Sequence, residues 1–458
     1  MISLSAPGLA LPDSLLEDLR RIRDAALSSS YAYEQTAYLC NHIGHRLSGS
    51  PQAEEAVRYV AEELRRLDTR VALEEVPVPH WVRGREEAWL IDFPEHRPGT
   101  EQKLVLTTLG GSVATPEEGL SATLVVVRDF DELERLDRGQ VEGKIVVFNH
   151  PFDIQMAQVG RGGHAYGDAV DYRVDGAVAA ARKGAVAALV RSAGGAEYRL
   201  AHTGSVRYDD NVPKIPSAAV AVEDAKLMEY LAAKGPVTAR LVLTPSTFPD
   251  ATSHNVIGDI VGRERPDQIV IVSGHLDSWD VGTGALDDAS GVAMAMETAN
   301  LLRKLKLRPR RTIRVVAWMN EENGLKGGRT YAEGHQAEIA LHVGAIESDL
   351  GGGHPLGFYG KTSPAALEML APVGRILGGM GAGIVEPSAW SAADISPLSK
   401  LGVPCFSPLQ DSRTYFDYHH TMADTFDKVN PRWLAENSAV MAVLAYALAE
   451  MPEPLPRE

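Results

Sequence analysis

Short β-branched, apolar runs alternate with amphipathic stretches in the second half of the chain. Residues 268–273, 311–318 and 341–346 have the continuous hydrophobicity that is typical of buried strands. Between the first two runs, residues 288–305 place apolar side chains at helical spacing and predict a crossover helix. The pattern predicts an α/β fold with a mostly parallel central sheet, flanked by helices and connected by right-handed crossovers.

The first and last parts of the chain add helices to this layer. Amphipathic spacing predicts helices at residues 13–28 and 52–67, and the second of these follows a helix-start signal that ends at Pro51. Residues 70–78 alternate like a strand, and residues 433–451 predict a closing helix. We interpret these elements as scaffold.

The character of the chain changes at about residue 110. Between residues 110 and 245, predicted strands and small-residue helices form a compact unit of their own, and we see no cluster of ligand-type residues in it. Residues 160–164 are expected to form a mobile loop. We therefore predict a catalytic domain in two parts, residues 1–109 and 246–458, with a smaller α/β or β-rich domain inserted at 110–245.

Acidic residues and histidines follow the predicted strands. His275 and Asp277 end the first, and a glycine-rich loop then leads to Asp287 and Asp288. The later clusters are Glu321-Glu322, Glu347-Ser-Asp349 and the loop residues His419-His420. Ligands of an open α/β sheet bind at the carboxyl ends of its strands. Imidazoles and carboxylates gathered at that edge are what a hydrolytic zinc site requires.

Composition narrows the class of protein. The 458 residues carry a formal net charge of −16, with no basic stripe to neutralise phosphates, which argues against a nucleic-acid partner. The two cysteines, Cys40 and Cys405, are far apart and lack metal-type spacing; two buried thiols are favoured over a single bridge. Metal ligands would therefore be histidines and carboxylates.

Targeting signals are not evident in the sequence. Residues 1–12 lack a basic region and a long apolar run, and no stretch approaches the roughly 20 apolar residues of a membrane span. The expectation is a soluble cytoplasmic protein without a membrane partner. A secreted protein is the alternative if a signal segment has been removed.

The motifs together carry a specific resemblance. Residues 273–282, Ser-Gly-His-Leu-Asp-Ser-Trp-Asp-Val-Gly, are followed in order by the Asp287-Asp288, Glu321-Glu322, Glu347-Ser-Asp349 and His419-His420 motifs. This order resembles the co-catalytic di-zinc aminopeptidase family, and most closely its plasma glutamate carboxypeptidase branch, which consists of dipeptidases. The resemblance extends over about the whole chain, and the inserted unit is similar to a protease-associated domain.

The resemblance implies a ligand set and partners. His275 and Asp349 would hold one Zn²⁺, Glu322 and His420 a second, and Asp287 would bridge the two. Two Zn²⁺ are thus the expected cofactors, a short peptide is the expected substrate, and a homodimer is implied.

The resemblance also implies catalytic roles. Glu321 would be the general base that takes a proton from a metal-bridging hydroxide or water, and the Asp287-Asp288 bond is cis in relatives. Asp277 is expected to accept the second ring N–H of His275. His419 stands where many relatives have an oxyanion-stabilising tyrosine, and its role, like those of Tyr418 and Asp394, stays open.

Two other functions fit the same architecture. A catalytically inactive binding module would have lost ligands, whereas all expected positions are filled here; a mono-zinc glutaminyl cyclase would not need Asp287 as a bridge. Aminopeptidase and dipeptidase activities are not distinguished by the motifs. The inserted domain is expected to lie over the metal cleft and to favour dipeptides with both ends free.

Overall fold

Two eight-stranded sheets organise the residues that the computed structural model describes, 11–457. The ten residues that precede Leu11, on which the expectation about a signal segment mainly rests, lie outside this range. The strands, in chain order, are β1 (Arg70–Val82), β2 (Glu86–Asp92), β3 (Gln102–Leu104), β4 (Leu106–Thr108), β5 (Leu120–Val127), β6 (Ile145–Phe148), β7 (Ala187–Arg191), β8 (Ser217–Val220), β9 (Thr238–Leu243), β10 (Ser246–Ile260), β11 (Arg265–His275), β12 (Arg311–Trp318), β13 (His342–Glu347), β14 (Pro355–Lys361), β15 (Ile384–Pro387) and β16 (Cys405–Gln410).

Helices connect and cover these strands. In chain order they are α1 (Asp13–Leu27), α2 (Tyr31–Tyr38), α3 (Pro51–Arg66), α4 (Phe130–Arg135), α5 (Arg138–Val141), α6 (Ile154–Met156), α7 (Gly162–Arg182), α8 (Val222–Ala232), α9 (Ser290–Leu305), α10 (Lys326–Gly334), α11 (Pro364–Met369), α12 (Ala371–Gly378), α13 (Ser396–Lys400), α14 (Tyr415–Tyr418) and α15 (Pro431–Glu450). A short π turn lies at Leu39–Ile43, kinked segments at Ala157–Arg161 and Ala285–Ala289, and 3-10 turns at Gln336–Leu341 and Phe426–Lys428. No helix between residues 11 and 457 is long and apolar enough to cross a lipid bilayer.

The first sheet has a parallel centre and antiparallel flanks. Its order is β1-β10-β12-β11-β13-β16-β14-β15, and the four strands from β12 to β16 pair in parallel. β10 and β14 join this centre as antiparallel neighbours. The predicted α/β class with a mostly parallel sheet is confirmed for the centre, where β11 is buried on both faces from Ile269 onward.

Two apolar helices cover the central strands on one face. α9 and α15 pack against each other and against β11 and β12. Sixteen of the 20 residues of α15 are buried, most of them apolar, and small residues such as Ala442 and Ala445 let the helix approach its neighbours closely. This layer fixes the strand ends that carry the site.

The second sheet belongs to the inserted part of the chain. Its order is β3-β2-β9-β5-β6-β7-β8-β4, and its apolar clusters are separate from that of the first sheet. Its strands begin at Glu86, earlier than the predicted boundary at residue 110. The domain division stays a prediction, and we propose to place its first boundary between Val82 and Glu86.

Two local predictions agree with the structure, and a third does not. Ser50 accepts a hydrogen bond from the Ala53 N–H and Pro51 begins α3, as the helix-start signal indicates. Cys40 and Cys405 are buried free thiols, as favoured. The loop predicted at residues 160–164 is wrong for Gly162–His164, which begin α7, whereas Gly160, with a φ of +81°, lies at a kink before this helix.

Candidate active site

Three neighbouring strands present the predicted ligands at one edge of the first sheet. β11 lies between β12 and β13, and its last residue is His275. Glu322 follows β12 and Asp349 follows β13, so that these two carboxylates come from the strands on either side of the histidine. Parallel strands end at the same edge, which explains how residues far apart in sequence meet here.

Asp287 occupies the middle of the cluster. Its Oδ1 lies 3.0 Å from Nε2 of His275, and its Oδ2 lies 3.3 Å from Nε2 of His420. On either side, Asp349 Oδ1 is 3.2 Å from His275 Nε2, and Glu322 Oε2 is 2.9 Å from His420 Nε2. All five predicted metal-binding residues are therefore brought together, with Asp287 between the two histidines.

Asp424 and Asp288 hold the loop that carries Asp287. The Asp424 carboxylate accepts the backbone N–H groups of Ala285 at 3.1 Å, Leu286 at 2.8 Å and Asp287 at 3.2 Å. Asp288 Oδ2 accepts the His275 N–H at 3.1 Å, and the Asp287–Asp288 peptide bond is cis. Asp424, only four residues after His420, has a role at the site that its motif did not indicate.

The expected bond between the His275 ring and the Asp277 carboxylate is wrong. Nδ1 of His275 lies 3.0 Å from the backbone carbonyl of Asp277, and the nearest carboxylate oxygen is 3.8 Å away. That carboxylate accepts the backbone N–H groups of Glu321 at 3.0 Å and Glu322 at 3.3 Å, and the Ser48 hydroxyl at 3.1 Å. Asp277 therefore fixes the turn that follows β12.

Glu321 and Glu322 both lie in this turn. Burial, reinforced by the Asp349 carboxylate, raises the pKa of Glu321 well above its usual range. Burial and the neighbouring Asp287 do the same to the pKa of Glu322. Closely spaced buried carboxylates are costly unless positive charge accompanies them.

His419 points to the same cluster from the side of His420. The two rings are stacked with centroids 3.6 Å apart, and Nε2 of His419 lies 3.5 Å from Asp287 Oδ2. Burial, with the charge of Arg173 among the lesser causes, lowers the pKa of His419 well below its usual value, so its imidazole is neutral at pH 7. A neutral ring can donate one N–H towards the site.

Asp394 is buried beside Glu347. Its backbone N–H donates to Glu347 Oε1 at 3.3 Å, and its Oδ1 accepts the Gly328 N–H at 3.4 Å. Burial, and then the Glu347 carboxylate, raises the pKa of Asp394 well above its usual range. Tyr418 is half-buried at the end of α14, where its carbonyl accepts the N–H of Thr421.

A cleft leads from the inserted part of the chain to Asp349. A cavity of about 660 Å³ is lined on one side by residues at 160–168 and on the other by residues at 386–390. A cavity of about 170 Å³, which shares Leu350, Tyr359 and Gln410 with it, reaches Asp349. The rings of His164 and Trp390 meet edge to face across the larger cavity, 6.2 Å apart. The insert thus forms one wall of the cleft.

The donor set fits metal ions. Two groups of possible ligand atoms share Asp287. One consists of an atom each from His275, Asp287 and Asp349, and the other of an atom each from Asp287, His419 and His420. Within each group the three atoms lie within 4.8 Å of one another. Among the described residues, no group donates a hydrogen bond to the buried Oδ2 of Asp287. Imidazole nitrogen and carboxylate oxygen are the donors that zinc takes in hydrolytic sites.

Comparisons with known proteins agree with this geometry. Residues 255–445 match peptidase family M28. The chain is 39% identical to carboxypeptidase Q from Xenopus laevis over 428 residues, which are 93% of this chain and 87% of the relative.

Solved structures show the same similarity. The chain resembles a peptidase M28 precursor from Shewanella amazonensis with 38% identity and a TM-score of 0.90, over 97% of this chain and 100% of the other. A zinc aminopeptidase from Bacillus subtilis shares the fold at 20% identity, with a TM-score of 0.67 over 92% of this chain and 96% of the other. The chain therefore belongs to peptidase family M28 and is a metallo-exopeptidase.

Proposed function

We propose that this chain is a dinuclear zinc dipeptidase that also removes N-terminal residues from short peptides. The observation that carries the proposal is the position of Asp287, whose two carboxylate oxygens face His275 on one side and His420 on the other. One carboxylate between two such groups is suited to bridging two ions.

The proposed ligands divide into two sets. His275 and Asp349 would hold one zinc, Glu322 and His420 the other, and Asp287 both. When bound, the zinc ions would supply Lewis acidity and a water of lowered pKa. This assignment is supported by the type and proximity of the donors, and by the name of the Bacillus subtilis enzyme as a zinc aminopeptidase.

Glu321 is the proposed general base. Its carboxylate takes a proton from the attacking water as the C–O bond forms, and then delivers it to the nitrogen of the leaving amine as the peptide C–N bond breaks. Burial, which raises the pKa of Glu321, makes this carboxylate a stronger base than one in water. Asp277 holds Glu321 in place through the backbone of the turn.

His419 is the proposed oxyanion donor. Its neutral ring lies beside Asp287 and can donate an N–H to the oxygen on which negative charge develops. The stacking of His419 on His420 limits the movement of this ring.

The cleft favours short substrates. Residues at 160–168 of the insert face residues at 386–390 of the core across the cleft, and we propose that this wall limits how far a substrate extends beyond the scissile bond. Excluding water around the charged substrate termini strengthens their interactions with the site. Dipeptides with both ends free are the proposed preferred substrates; homodimer formation and cytoplasmic location stay predictions from the sequence.

The test is a comparison of kcat/KM for a dipeptide and a hexapeptide with the same N-terminal residue, together with an N-blocked dipeptide. We expect the free dipeptide to be hydrolysed at least tenfold more efficiently than either. Equal values for dipeptide and hexapeptide would replace the dipeptidase proposal with a general aminopeptidase. Hydrolysis of the N-blocked dipeptide at the same rate would exclude recognition of a free amino end.

A further inference from the structure

We infer that the inserted part of the chain is a structural component of the metal centre, and that Arg173 is a positioning residue for His420. The inference rests on the proposed function, since it concerns the metal assigned to Glu322 and His420. It assigns a role to a region in which the sequence showed no ligand-type cluster.

The segment that follows β7 contacts both of these ligands. The Thr203 N–H donates to the backbone carbonyl of His420 at 2.9 Å, and the Thr203 carbonyl lies 3.2 Å from the Nδ1 atom of its ring. Two residues later, the Ser205 hydroxyl donates to the backbone carbonyl of Glu322 at 3.1 Å. Residues 203–205 thus touch the two ligands proposed for one metal.

The contact with the ring determines which nitrogen faces the cluster. A histidine that binds a metal through Nε2 carries its proton on Nδ1, and the Thr203 carbonyl accepts that N–H. The unprotonated Nε2 of His420 then faces the other ligands, 2.9 Å from Glu322 Oε2 and 3.3 Å from Asp287 Oδ2. The His275 ring is held in the same way, by the backbone carbonyl of Asp277.

Arg173 on α7 fixes the Thr203 carbonyl. Its Nη1 donates to this oxygen at 3.1 Å and lies 3.3 Å from Nδ1 of His420; because both groups are donors, the carbonyl is their shared acceptor. The Arg173 side chain is buried, and within the described part of the chain it forms no ion pair with a carboxylate. Arg173 therefore holds the Thr203 carbonyl in place, and this carbonyl in turn orients the His420 ring.

Gly204 and Tyr166 shape the space for this guanidinium. A Cβ atom at Gly204 would lie 2.2 Å from Cζ of Arg173, so only glycine allows this approach, and the Gly204 φ of +140° is also unfavourable for other residues. The guanidinium lies over the Tyr166 ring, 5.5 Å from its centroid. A second arginine also contacts Thr203: Arg83 Nη2 donates to the Thr203 hydroxyl at 3.2 Å.

The experiment measures zinc bound by the full chain under a series of chelator concentrations. Arg173→Met keeps the length of the side chain but removes the donor to Thr203, and Arg173→Lys retains one donor. We expect Arg173→Met to weaken one of two zinc equivalents by about 10- to 100-fold and leave the other unchanged, with partial recovery in Arg173→Lys. Cobalt substitution should show an altered absorption band for the weakened equivalent only.

Arg182→Met is the matched control on the same helix. Arg182 is exposed and pairs with Asp209, so both equivalents should bind as in the unchanged protein. If Arg173→Met does not fold, Arg173→Lys and Ser205→Ala carry the test, each expected to weaken the same equivalent. Two zinc equivalents of unaltered affinity in every folded variant would overturn the inference, whereas a single equivalent in the unchanged protein would refute the two-metal proposal itself.

Discussion

The carboxylate of Asp277 accepts the backbone N–H of Glu321 at 3.0 Å, which connects the end of β11 to the turn after β12. The side chain that the sequence assigned to orienting a histidine therefore orients the proposed base. The same carboxylate accepts the backbone N–H of Glu322 at 3.3 Å, so it also orients a proposed metal ligand. Asp277 acts on both through the backbone, so its contribution can be separated from theirs by mutation.

Replacing Asp277 with Asn should impair both residues of the turn. Asn has only one acceptor oxygen, and its amide would face a backbone N–H that needs an acceptor. We expect both zinc affinity and kcat to fall by about 10- to 100-fold. Chelator competition measures the zinc affinity, and steady-state kinetics measure kcat. Asp68→Asn, at an exposed position paired with Arg303, is the control and should change neither. Unchanged kinetics in Asp277→Asn would show that the turn holds its shape unaided.

Glu321→Gln should separate the base from the ligands. We expect both zinc equivalents to remain, because Glu321 is not a proposed ligand, while kcat falls by about 10²- to 10⁴-fold. Glu322→Gln should instead weaken one zinc equivalent. Metal analysis alongside kcat makes the distinction, and near-normal kcat in zinc-saturated Glu321→Gln would remove this residue from the mechanism.

Removing the metals should destabilise the fold. The buried carboxylates at the site repel one another without a cation, as the raised pKa values of Glu321 and Glu322 indicate. A ligand present at a hundred times its dissociation constant stabilises the folded state by about 2.7 kcal/mol per site. We expect chelation to lower the unfolding temperature and zinc to restore it. The same unfolding temperature with and without chelator, after confirmed metal loss, would contradict this account.

Glu297, which lies away from the site, should make the stability of the fold depend on pH. Burial raises the pKa of this α9 carboxyl to about 7, above the value of about 4.3 in an unfolded chain. The folded state therefore holds the proton more tightly, and stability falls as the pH rises from about 4.3 to 7 and then levels off.

Glu297→Gln should consequently stabilise the protein at pH 8, by on the order of 1–3 kcal/mol, and have little effect at pH 5. Thermal unfolding at the two pH values measures the difference. Glu333→Gln, at an exposed position on α10, is the control and should show no such pH-dependent gain. Equal stabilisation by Glu297→Gln at both pH values would mean that charge is not the cause.

Three of the proposed ligands could be predicted from the pattern because each lies at or just after the end of a strongly apolar strand, whereas Asp287 and His420 rested on the resemblance. His275, Glu322 and Asp349 come from three strands that are neighbours in the sheet, so their meeting follows from the α/β architecture. The role of Asp277 was missed because it depends on the turn geometry after β12, where Asn320 has a φ of +69°. Periodicity carries no information about such a turn.

The contribution of the insert was missed for a different reason. Thr203 and Arg173 are 217 and 247 residues from His420 in sequence, and a backbone carbonyl has no signature in the identity of its residue. Strands β3 and β4 could not be predicted, because three residues each are too few to show a period. Short strands and contacts between distant segments need three-dimensional information.

The burial of α15 has a consequence for the biosynthesis of the enzyme. This helix follows every proposed ligand in chain order, yet it packs against α9 and the central strands β11 and β12. Chains emerge from the ribosome N-terminal end first, so β11 and its neighbours are translated before the helix that covers them. We expect the nascent polypeptide to lack peptidase activity until residues 431–450 have emerged, which would protect newly made protein in its vicinity from premature cleavage.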